Sequence, residues 1–96
     1  MKIADARNFI DELYDRRIEN LLEEVRRVFP AEYPIFIKIR GHYSRIQASN
    51  VTTYTRLTRL RTACRLSRRL FRKPLTQLTR DEWEAVSYTH LTLPTN

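Results

Sequence analysis

The stretch Ile35–Ala48, IFIKIRGHYSRIQA, decides the fold, because its pattern reads as strand while its flanks read as helix. Ile35, Ile37 and Ile39 alternate with Phe36, Lys38 and Arg40, the two-residue period of a half-buried strand. Gly41-His42 suits a two-residue type II′ turn, whose first position takes a positive φ that glycine supplies at little cost. A turn there sets Arg40 opposite Tyr43, Lys38 opposite Arg45 and Phe36 opposite Gln47 on one face. On the other face Ile37 meets Ile46 and Ile35 meets Ala48. The expected hairpin is apolar on one side, cationic and aromatic on the other.

Before this stretch, residues from about Asp5 to Val28 predict a long amphipathic helix. Ile3, Ile10, Tyr14, Ile18, Leu21, Val25 and Val28 recur at steps of three, four and seven, which stack into one stripe at about 100° per residue. Asp5 is placed to cap the helix, and Phe29-Pro30 stops it, because proline pushes its predecessor out of the helical region. Glu12 with Arg16 and Glu23 with Arg27 are spaced as favourable acid-first pairs. The stripe serves either as core or as the seam of a homodimer through residues 5–28, with Arg7 and Arg17 intruding on its edges. Ala31-Glu32-Tyr33-Pro34 reads as a linker.

After the stretch, Asn50 is placed to cap a second helix. Its apolar residues, Leu57, Leu60, Cys64 and Phe71, fall within an arc of roughly 60°. Arg61, Arg65, Arg68, Arg69 and Arg72 fall on an adjoining arc of about 100°. Pro74 ends this helix, and Thr79-Arg80-Asp81-Glu82 matches the S/T-x-x-E capping box that opens a third. The expected fold is therefore α+β: long helix, hairpin, basic helix and the start of a third helix. The alternative is all-α, with Ile35–Ala48 irregular.

The charges are segregated along the chain. Residues 1–32 hold eight acids and six bases, whereas Tyr33–Arg80 holds twelve bases and no acid, within a total of +7. A field of one sign on that scale attracts anions, and nucleic acid is the commonest such partner. A membrane surface fits less well, because the basic region lacks a broad Trp/Phe/Leu face. There is no charged-then-apolar leader and no apolar run near the roughly 20 residues that span a bilayer, so a cytoplasmic location is expected. The single cysteine, Cys64, offers no internal disulfide and reads as a small core residue.

The stretch Val86–Thr95, VSYTHLTLPT, resembles, residue for residue, the in-frame translation of a transposase adapter used to prepare DNA sequencing libraries. The resemblance is to an artefact and not to a family. It implies that residues 86–96 are a non-native tail, that residues beyond Ala85 pack poorly, and that residues 1–85 are a small domain or the first part of a larger one. Residues 1–85 carry no motif specific enough to name a family.

Arginine presents a planar fork of donors matched to phosphate oxygens, so a row of arginines on one helical face fits a nucleic-acid backbone. The expected function is a non-catalytic DNA- or RNA-binding module, using Arg61, Arg65, Arg68, Arg69 and Arg72, with Lys38, Arg40 and Arg45 as auxiliary contacts. Phe36 and Tyr43 on the hairpin's outer face are candidates for stacking on bases. Two other readings stand beside it: an interaction module that dimerises and docks on an acidic protein, and the N-terminal piece of a larger nucleic-acid enzyme. His42 reads as a solvated turn residue. No phosphate-binding glycine loop, catalytic grouping, metal site or cofactor site is visible in the sequence.

Overall fold

The computed structural model describes residues 3–92, with side chains described for residues 6–89. Among the described residues the chain is all-α, with no strand. Helix α1 spans Ile3–Val28, α2 Tyr33–Arg45, α3 Asn50–Phe71 and α4 Arg80–Thr92, with a 3₁₀ turn at Leu75–Gln77. The expected α+β class is thereby corrected: the class is that of the all-α alternative, except that most of Ile35–Ala48 is helical where that alternative has it irregular.

The segment that decided the expectation is helical through Arg45. Its alternating isoleucines hide a second pattern: Phe36, Ile39 and Tyr43 are three and four apart, which places them on one helical face. Phe36 is fully buried and Ile39 packs against the same core, whereas Ile37 is 42% exposed. Pro34 falls in the first helical turn, where its missing N–H is not needed. Gly41 has ordinary helical backbone with no positive φ, so no turn forms there. The physical reason is that a lone two-stranded hairpin is marginal in water, whereas a helix satisfies its own backbone and needs only one apolar face covered. The left-handed residue that reverses the chain is instead Gln47, at φ 55°.

The other elements form close to where local signals place them. Helix α1 begins at Ile3, so Asp5 lies inside it and does not cap it. Ile18, Leu21, Leu22 and Val25 join Phe29, Phe36, Leu57 and Cys64 in one core, with Tyr33, Ile39, Tyr54, Leu60 and Leu75 packed around it. The middle of the proposed dimer stripe is thus spent within the chain. N-terminal to Tyr14, which meets Tyr54 edge-on at 5.5 Å, Phe9, Ile10 and Leu13 are exposed. Glu23 pairs with Arg26, not Arg27.

The cap of α3 is Ser49, whose Oγ accepts from the Thr52 backbone N–H at 3.1 Å. Asn50 begins the helix itself, and its side-chain amide donates to the Asp11 carbonyl at 2.9 Å. The helix ends at Phe71, followed by left-handed Arg72 at φ 54°, before Pro74. The capping box of α4 is complete: the Glu82 N–H donates to Thr79 Oγ1 at 3.2 Å, and the Thr79 N–H donates to Glu82 Oε1 at 2.9 Å. Helix α4 runs on past Ala85. Val86, the first residue of the adapter-like stretch, is only 1% exposed, against the expectation of poor packing there, while Tyr88 is 72% exposed.

Candidate functional site

Packing α1 across α3 brings the acidic third of the chain against the acid-free third. Glu24 accepts from Arg61 Nη1 at 3.0 Å and from Arg65 Nη2 at 3.2 Å. Glu32, fully buried, accepts from both terminal nitrogens of Arg68, one at 2.8 Å, and from the Leu75 backbone N–H at 3.2 Å. Arg68 also lies over the Phe29 ring, 4.7 Å from its centroid. On α2, Arg40 pairs with Asp15 at 3.5 Å and with Glu19. Lys73 pairs with Glu82 at 2.9 Å.

These contacts sort the residues expected to touch phosphate into two groups. Arg61, Arg65, Arg68 and Arg40 face acids of the same chain. Among the described residues Arg69, Arg72, Lys38 and Arg45 have no acidic partner, and all four are exposed. Burial raises the Glu32 pKa, but the Arg68 fork and the Leu75 N–H outweigh it, so the carboxyl titrates below its usual value. Burial, then the neighbouring Glu32 charge, pushes the Cys64 thiol up, so it stays a neutral core residue.

Arg56 and Arg59, which the sequence reasoning passed over, occupy the opposite flank of α3. At about 100° per residue, Arg61, Arg65 and Arg68 lie on one side of the stripe of Leu57, Leu60 and Cys64, and Arg56 with Arg59 on the other. That second flank borders a groove of about 510 Å³ between α2, α3 and α4. Ile39, Leu60, Ala63 and Val86 supply apolar lining, Tyr43, His42 and Trp83 supply rings, and Lys38, Arg56 and Arg59 supply charge. Ser87 completes it. Neither Arg56 nor Arg59 has an acidic partner among the described residues. A wheel of α3 drawn with both edges of its stripe would have found the pair.

Of the aromatic residues expected to stack, only Tyr43 reaches this surface, its ring 5.5 Å from that of His42. Phe36 is in the core. No described helix is long and apolar enough to cross a membrane, and no group of three or more His, Cys, Asp or Glu among the described residues could hold a metal ion. No protein-family model, curated protein or solved structure matches this chain.

Proposed function

We propose that this chain is a nucleic-acid-binding module whose phosphate contacts are made by the groove flank of α3 and the facing edge of α2. The observation that supports it is the division of charge: Glu24 of α1 and Glu32 at the α1–α2 corner neutralise one flank of α3, and Arg56 and Arg59 are left without acidic partners beside Lys38. Lys38, His42 and Arg45 share one edge of α2, within an arc of about 60°. Four cations on two facing helices form a basic strip, to which exposed Arg69 and Arg72 add charge near the end of α3. A phosphate backbone meets such a strip without any base being read, and each neutralised phosphate releases condensed counterions.

The test is anisotropy of short labelled DNA and RNA oligonucleotides across a salt series. Affinity falls linearly on log–log axes, by about 0.9 per phosphate neutralised on duplex DNA and about 0.7 on single strands. Arg59→Ala weakens binding to all sequences alike and flattens the slope by roughly one unit. Arg61→Ala, which removes a contact to Glu24, changes the slope little. If neither DNA nor RNA binds at low salt, the proposal fails and an acidic protein becomes the better partner.

A further inference from the structure

The groove between α2, α3 and α4 combines two chemistries that a simple phosphate-binding strip does not need. Its lining is mostly apolar and includes aromatic rings, and its cations stand beside that lining. Its volume, about 510 Å³, falls within the roughly 300–1,000 Å³ typical of ligand sites. Trp83 is 45% exposed, so its ring has unused surface. Resting on the nucleic-acid reading above, we infer that this groove receives an unstacked base, so that the preferred ligand is single-stranded nucleic acid.

A nucleotide divides its chemistry as the groove does. The base is a flat ring whose faces gain by leaving water for Tyr43 and Trp83, and the flanking phosphates need cations within a few ångströms, which Lys38, Arg56 and Arg59 supply. Arginine adds a planar surface on which a base also stacks. In a duplex the ring faces are covered by neighbouring bases, so only a single strand can place one in a concave site between helices. The residues assigned to stacking and phosphate contact all precede Val86 in the chain, while Val86 and Ser87 complete the groove wall beside Trp83.

Trp83 is the sole tryptophan, which makes its emission a direct reporter of the groove. The full chain is titrated with a homopolymeric DNA strand, the same strand as a duplex, and the same strand carrying abasic sites. The strand is expected to bind about tenfold more tightly than the duplex and to quench Trp83, and removing bases should cost about tenfold. Tyr43→Leu should weaken the strand and leave the duplex unchanged, with helical circular dichroism retained. Should that variant fail to fold, the abasic comparison decides. Equal binding of all three probes with unaltered Trp83 emission overturns the base site and leaves the phosphate strip standing. Absence of binding by any probe overturns both, and an acidic peptide that then quenches Trp83 would replace nucleic acid as the occupant.

Discussion

Both terminal nitrogens of Arg68 close onto the carboxylate of Glu32, although the two residues are 36 positions apart and Glu32 is fully buried. The pair joins the α1–α2 corner to the end of α3, and the Leu75 N–H brings the 3₁₀ turn to the same carboxylate. Arg68 is half-buried, with a side chain 32% exposed. The two partners should therefore respond unequally to mutation. Arg68→Ala strands a buried carboxylate and is expected to cost about 3–5 kcal/mol. Glu32→Ala costs less, because the released guanidinium can reach water. Urea denaturation of the two variants measures the difference; equal small losses would show that the pair is not a tie between elements.

The same carboxylate should carry acid sensitivity. Its folded pKa lies below the ordinary 4.5, so as pH falls through and below 4.5 the unfolded chain takes up the proton first. Stability from this group is fully present above that range and is lost as pH drops to the depressed folded value. Glu32→Gln should be less stable than the parent at neutral pH, with a shallower acid decline. Thermal melts at a series of acidic pH values provide the check, and parallel curves for parent and variant would contradict it.

Gly41 gives a direct test of α2. A Cβ built there meets nothing within 4 Å, and the backbone is helical. Gly41→Ala should therefore raise stability by about 0.4–1 kcal/mol, by restricting the unfolded chain and favouring the helix. A hairpin turn at this position would give the opposite sign. Denaturant midpoints distinguish the two.

Val86 tests whether α4 contributes to the core. Its side chain is 1% exposed, and trimming it removes two methyl groups at about 0.8 kcal/mol each before any cavity term. Val86→Ala should lower stability by about 2 kcal/mol. An unchanged melting temperature for Val86→Ala would detach this part of α4 from the fold.

Local signals in the sequence determined α1, the capping box at Thr79 and Glu82, and the apolar stripe of α3, because each depends on residues within one or two helical turns. Segregated charge was equally legible. Ile35–Ala48 was not, since alternation and the Phe36, Ile39, Tyr43 face coexist in the same residues. Packing chose between them: the helical face has Val25, Phe29 and Leu57 to bury against, and a hairpin would have lacked further strands. The same holds for the arginines. Sequence showed that Tyr33–Arg80 has no acid, but which cations are neutralised depends on Glu24 and Glu32 meeting Arg61, Arg65 and Arg68 across 36 to 41 residues. Coulombic partners are set by distance in space, and only the docking of α1 on α3 decided that one flank would be paired and the other, with Arg56 and Arg59, left beside the groove.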